Sequence, residues 1–399
     1  MFMILLLSCI IIVLIALGKK LPAAPTAAGS MVMALGIFMQ GSWVYLSGQP
    51  PYSVASRVLM IGIVLAWLYL LASYLPSIRR STFYRDHIAN PVQRFAVGTW
   101  VAGTSTVLIN LYASFNSDWL NETVHIMATL NIGLWLFYMC LAVIGWYGLA
   151  TDAQALRIDG TILLPAVATQ SIVLLCHEVF ALSVNVWFTR SFIMLGLLCY
   201  VVGIIIMIQR RRRSSAWGME TWKATNCIVY GALAISGAAI SLTGAWSESV
   251  AYALWWAALM LLIGIESIEA IDGAKRMRQH GWRSGVGRYH TAQWTRLFTL
   301  GMFYFLTLHT AQAAAAMPFT QLLHRLVLNI GAWVITILLV IELMLWIHKS
   351  VMQRIVPITG ADERNREHRD DDDHHNRDVT HSSDTTVPFT TSERHSLHK

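Results

Sequence analysis

The 399-residue chain is 56% hydrophobic and 13% charged, with a mean hydropathy of +0.53, a composition that excludes an ordinary soluble domain and points to a polytopic membrane protein. Its five cysteines, Cys9, Cys140, Cys176, Cys199 and Cys227, lie in or beside apolar runs with no CxxC pair, which argues against a disulfide framework or a zinc site. The formal charge of +7 divides unevenly: residues 361–399 hold ten acids and six bases, net −4, leaving 12 acids and 23 bases, net +11, for the first 360. In a membrane protein such a basic surplus reports topology first, and no nucleic-acid partner is expected.

Windows of about 20 apolar residues, each enough for one bilayer crossing, fall at about 2–18, 27–47, 58–75, 93–114, 124–149, 160–183, 191–208, 224–245, 249–270, 293–315 and 325–348. Basic clusters follow every second span: Lys19 and Lys20; Arg79, Arg80 and Arg85; Arg157; Arg210 to Arg213; Lys275, Arg276, Arg278, Arg283 and Arg288; Lys349 and Arg354. The positive-inside rule therefore places the N-terminus outside and the C-terminus in the cytoplasm, across the plasma membrane. The first span has a competing reading as a cleaved signal peptide, because Ala23, Ala24 and Ala27 follow it; the missing basic n-region and the two lysines directly after it favour a retained helix. The expected domains are 1–26, an extra helix with its basic loop; 27–350, the membrane body; and 351–399, a charged cytoplasmic tail with too little apolar content to form a core. His374 and His375 beside four aspartates read as part of that solvated acidic tail.

The stretch NPVQRFAVGTWVAGTST at 90–106 opens with an Asn able to cap and Pro91 at the first helical position, then fills with small and hydroxylated residues. A spanning helix of this kind either packs tightly on a neighbour or lines an aqueous path. The same composition recurs in phase. In the windows 27–47, 93–113, 161–181, 224–244 and 294–314, Gly, Ala, Ser and Thr supply 44 of 105 residues, against 23 of 102 in 58–75, 126–149, 191–208, 250–270 and 327–347. Beyond the first span, the expected fold class is thus an all-α integral membrane protein of five tandem helical hairpins, ten transmembrane helices with five small-residue helices inside and five apolar ones facing lipid. All five inner helices would run outward, gathering their positive dipole ends at the cytoplasmic mouth with Lys20, Arg94, Arg157, Lys223 and Arg296, an arrangement that attracts anions.

Acids within spans are few. Glu266 and Glu269 are positioned to pair with bases of the adjoining loop, and Glu342, deeper in the last span, most needs a partner. His177 and Glu178 are the candidates for proton coupling. His125, His177, His309 and His324 raise a haem alternative that their lack of a repeating spacing opposes. No H-x-x-x-H pair, nucleophile elbow or phosphate-binding loop occurs, so neither an enzyme nor a cofactor is expected.

Four stretches, NPVQRF at 90–95, LLPAVATQS at 163–171, WKATNCIV at 222–229 and QWTRLFTLGM at 293–302, resemble the tellurite-resistance/dicarboxylate transporter family, which includes plant slow anion channels and fungal malate carriers. They sit at the starts of four inner helices, within a resemblance spanning roughly residues 27 to 350. It implies a central pore closed by a phenylalanine, which maps to Phe298 with Phe303 and Phe305 as neighbours, and a homotrimer in the bilayer. Pro165 matches a family proline inside an inner helix, whereas the corresponding place after WKATNCIV holds Gly231, so a kink there would need Gly231 and Gly237. The expected function is passage of small anions, a C4-dicarboxylate such as malate or an inorganic anion, by a channel or a proton-coupled carrier. Gly98, Thr99, Gly103, Thr104, Pro165, Thr169, Thr225, Gly231, Ser236 and Thr299 are the expected lining, and Arg94, Lys223 and Arg296 the anion-attracting bases. The alternatives are a histidine-based electron carrier and a sensor that signals through its tail.

Overall fold

Apolar runs of this length leave backbone N–H and C=O groups no partners but one another, and the chain answers with helices. A computed structural model describes residues 21, 23–115, 117–151, 158–180, 185–213, 223–285, 289–311 and 318–355. The expected span at 2–18, Lys19, Lys20, Arg157 and the tail from 356 onward lie outside the described residues. Ten long helices are α1 (Thr26–Ser47), α2 (Val54–Arg79), α3 (Gln93–Ser114), α4 (Asp118–Thr151), α5 (Gly160–Val179), α6 (Val186–Arg212), α7 (Ala224–Thr243), α8 (Glu248–Gln279), α9 (Thr291–His309) and α10 (Pro318–Ile355). Nine of them, all but α9, are long and apolar enough to cross a membrane, and no strand occurs among the described residues. This is a multi-pass helical membrane protein.

Helix starts follow the local sequence. Ser53 caps α2 by accepting from Ser56 N at 3.3 Å, Asn90 Oδ1 accepts from Gln93 N at 3.4 Å ahead of α3, and Asp159 Oδ1 accepts from Thr161 N at 3.0 Å at the start of α5. In α1, α5 and α7 the first turn is a tighter 3-10 turn, at Thr26–Ala28, Gly160–Leu163 and Ala224–Cys227. The described residues up to Leu345 form one compact unit, and 346–355 fall outside it.

Small residues allow close approach, and burial follows them. In their most apolar stretches α1, α3, α5 and α7 are 72–83% buried, whereas α2, α4, α6, α8 and α10 are 22–33% buried and present large apolar side chains such as Ile61, Leu65, Val143, Leu198, Ile263 and Ile337 outward, a surface suited to lipid. The odd-numbered helices pack in sequence, α1 on α3, α3 on α5, α5 on α7, α7 on α9, and α9 back on α1. Their contacts climb together, Gly29 on Thr99 then Gly36 on Thr106 for α1 and α3, Ile37 on Gly301 then Gly41 on Tyr304 for α1 and α9, and Gly231 on Thr299 then Gly237 on Leu306 for α7 and α9. Helix α5 meets α7 start to start, Gly160 N donating to Asn226 Oδ1 at 3.0 Å, so the five run the same way. Three even-numbered helices reach them through a repeated device, an indole N–H donated to a threonine hydroxyl on the following odd helix: Trp67 to Thr104 (3.2 Å), Trp135 to Thr169 (3.1 Å) and Trp255 to Thr307 (2.9 Å).

Between α2 and α3 the π-helical turn Tyr84–Ala89 buries His87 against Tyr74, Phe83 and Trp100. Its Nδ1 lies 2.9 Å from Thr26 Oγ1 and its Nε2 3.1 Å from Ser77 Oγ. Burial holds the imidazole below its ordinary pKa of 6.5, with Asp86 acting weakly the other way. The unfolded chain therefore takes up a proton that the folded His87 refuses. The stability this ring contributes is fully present above pH 6.5 and is lost as the pH falls below it. Thermal unfolding of purified protein between pH 7.5 and 5.5 should show a midpoint that drops with acid, and His87→Gln should flatten that part of the profile.

Candidate functional site

Where five parallel helices meet, one cavity of about 20 Å³ opens between them, room for about one water. Every odd helix contributes to its wall: Ile37 and Gln40 from α1; Ala102, Ser105, Thr106 and Ile109 from α3; Ser171 and Leu174 from α5; Ile235 from α7; Phe298 and Met302 from α9. On α3 these residues are spaced i, i+3, i+4, i+7, a single helical face. Phe298 is 3% exposed. Its neighbours belong elsewhere: Phe303 stacks on Trp255 with ring centroids 5.9 Å apart, and Phe305 meets His309 at 4.3 Å.

Of the residues expected to line or close a pore, Phe298 stands in this wall and none of the others is among its lining residues. The Trp67 and Trp135 indoles occupy Thr104 and Thr169, and Thr169 also donates to Pro165 O at 2.7 Å. Gly98 makes room for the Tyr138 ring, whose hydroxyl donates to Phe95 O at 2.9 Å. Thr99 donates to Ala96 O, and with Gly103 it faces Gly29 of α1. Gly231 lies against Thr299, and Ser236 donates to Ala232 O, so Gly231 and Gly237 serve close packing, on Thr299 and Leu306, within a continuous helix Ile228–Thr243. Thr225 is buried, and its hydroxyl meets no hydrogen-bond partner among the described residues. The physical reason is phase: small side chains wrap the whole circumference of these helices, and composition does not say which stripe faces the axis.

The expected anion-attracting bases are engaged at the starts of the odd helices. Lys223 Nζ lies 3.4 Å from Asp159 Oδ2, and Arg94 Nε donates to Ile88 O at 2.9 Å. Arg296 pairs with Glu266, from Nε to Oε2 at 2.8 Å. The other Glu266 oxygen accepts from the Tyr230 hydroxyl at 2.9 Å, which in turn accepts from Thr299 at 3.1 Å. This chain clamps α7, α8 and α9 together. Glu269 pairs at 3.1 Å with Arg276, one of the bases expected of the following cluster, which lies on the continuing helix; Glu266 departs from that expectation, taking its base from α9. Glu266→Gln should cost about 2 kcal/mol, less than the roughly 3–5 kcal/mol of a fully buried broken pair, because the Arg296 and Glu266 side chains keep 27% and 19% exposure. Thermal unfolding in detergent measures it.

His177 is half-buried beside Cys176 on a small apolar cavity of about 10 Å³ that Phe188 and Phe192 also line, and Glu178 is exposed. His125 stands between Tyr112 and Phe180, and His324 lies against Trp255, ring centroids 4.1 Å apart. Glu342 is buried, with one carboxylate oxygen lacking a hydrogen-bond partner among the described residues. No group of three or more His, Cys, Asp or Glu side chains is placed to hold a metal ion among the described residues. Sequence reasoning missed Gln40, Ser105, Thr106 and Ser171, the polar residues of the cavity. The signal available for them was the helical stripe on α3 that begins at Ala102. No protein-family model and no curated protein matches the chain.

Proposed function

We propose that this protein is a transporter of small anions, of the tellurite-resistance/dicarboxylate kind that four of its helix starts resemble, built as five tandem hairpins around a central path that Phe298 closes. One observation carries the reading: five parallel helices contribute to the wall of a single, mostly apolar cavity that also carries Gln40, Ser105, Thr106 and Ser171, and a phenylalanine stands in that wall. A path of this kind favours passage over capture, because conduction requires weak binding. With Lys223 and Arg296 paired to carboxylates, preference for negative solutes rests on the gathered positive ends of the five helices and on the cavity wall. By the positive-inside pattern those ends face the cytoplasm.

Full-length protein in lipid vesicles should pass one or more of nitrate, chloride and malate faster than protein-free vesicles. If neither the native chain nor Phe298→Ala passes any of them, the proposal fails.

A further inference from the structure

The cavity wall is unequal in what it offers a solute. Ser105 donates its hydroxyl to Val101 O at 3.0 Å, Thr106 to Ala102 O at 2.8 Å and Ser171 to Ala168 O at 2.7 Å. Ser105 also accepts from Asn131 Nδ2 at 2.9 Å. Hydroxyls bonded back to their own helix turn lone pairs, not protons, toward the lumen, and lone pairs repel an anion. Gln40 is the exception. Gln40 lines the cavity, and its Nε2 is buried with no hydrogen-bond partner among the described residues. A buried amide left unmatched costs free energy, and a negatively charged guest would satisfy it.

The backbone holds Gln40 in place. It lies in a π-helical turn, Met39–Trp43, that interrupts α1, a departure often found at working positions. Its C-terminal end is pinned to two neighbouring helices: Trp43 Nε1 donates to Ser56 Oγ of α2 at 3.0 Å, and Tyr45 just beyond donates to Asn329 Oδ1 of α10 at 2.5 Å. Ile37, three residues earlier, shares the cavity face.

We propose that Gln40 is the selectivity-determining contact of the central path, its carboxamide N–H group hydrogen-bonding a small anion, halide or oxyanion, as it clears Phe298. This rests on the central-path reading above. The test compares three full-length proteins in vesicles, Phe298→Ala alone and the same variant carrying Gln40→Met or Gln40→Asn, with nitrate as the charged probe and glycerol as the uncharged one. Gln40→Met keeps the side chain's length and removes the donor, and should lower nitrate flux about tenfold while leaving glycerol flux unchanged. Gln40→Asn keeps a donor and should retain most of the nitrate flux. Nitrate flux that stays within twofold in Gln40→Met overturns the proposal and leaves the path standing. So does a parallel fall of nitrate and glycerol, which would make Gln40 a structural prop. If Phe298→Ala passes neither probe, the central path itself fails and this assignment falls with it.

Discussion

Phe298→Ala is expected to raise anion flux through reconstituted vesicles at least about tenfold, the effect of removing roughly 1.4 kcal/mol or more from a barrier. The cavity it borders has room for about one water, too little for nitrate or malate, so any anion must displace a side chain to cross. Phenylalanine is the largest side chain in that wall, and α9 supplies Met302 one turn further on. Deleting the ring enlarges the cavity without touching the ion pairs at the helix starts. It also carries a stability cost of about 3 kcal/mol, the usual range for a buried Phe→Ala change. The controls are Phe303→Ala and Phe305→Ala. Their rings pack on Trp255 and His309, so both should lower thermal stability and leave flux alone. Flux that rises in either of them, and stays flat in Phe298→Ala, would refute the assignment of the gate.

Gly160→Ala should be the most damaging single methyl in the membrane body. At the start of α5 the backbone comes so close to the start of α7 that a Cβ on Gly160 would overlap the Thr225 carbonyl oxygen and lie 2.9 Å from Asn226 Cα. Both neighbours are backbone, so no side chain can swing away. The same residue donates its N–H to Asn226 Oδ1 at 3.0 Å, and Asp159 beside it pairs with Lys223, so separating the two helices breaks these contacts as well. A loss of about 3 kcal/mol is expected, the upper part of the ordinary range for overpacking, read as a lowered unfolding midpoint in detergent. Gly62→Ala on α2, where a methyl meets nothing within 4 Å, is the matched control. It should leave the midpoint unchanged or raise it slightly, since alanine is the better helix former. Equal midpoints for the two variants would show that the α5–α7 contact is softer than it looks.

The nine spans among the described residues, and which of them are buried, were legible because they rest on length and composition. Pro91 after a capping Asn marked the start of α3, and the excess of small residues in 27–47, 93–113, 161–181 and 224–244 marked the helices that are buried most. Rotational phase was not legible. Thr104 and Thr169 suit a polar lining as well as Ser105 and Ser171 do, and only the distant indoles of Trp67 and Trp135 decide which hydroxyls are spent between helices. Charge placement failed in a similar way. Arg296 reads from sequence as a free base at a helix start, and its partner, Glu266, comes from the preceding helix, 30 positions away. Gln40 escaped notice because one amide in an apolar run has no pattern to announce it, and its significance lies in a donor left unmatched in space.

The tryptophan-to-threonine clips also constrain how the chain matures. Each indole sits on one helix and its acceptor on the next odd helix to be synthesised, so α2 must wait for α3, α4 for α5 and α8 for α9. In these three pairs the later segment supplies the acceptor its predecessor lacks, which favours an N-to-C order of assembly in the bilayer. The closing contact, α9 on α1, joins elements made near opposite ends of synthesis, so the first helix must be shielded by chaperones or lipid until the ninth arrives.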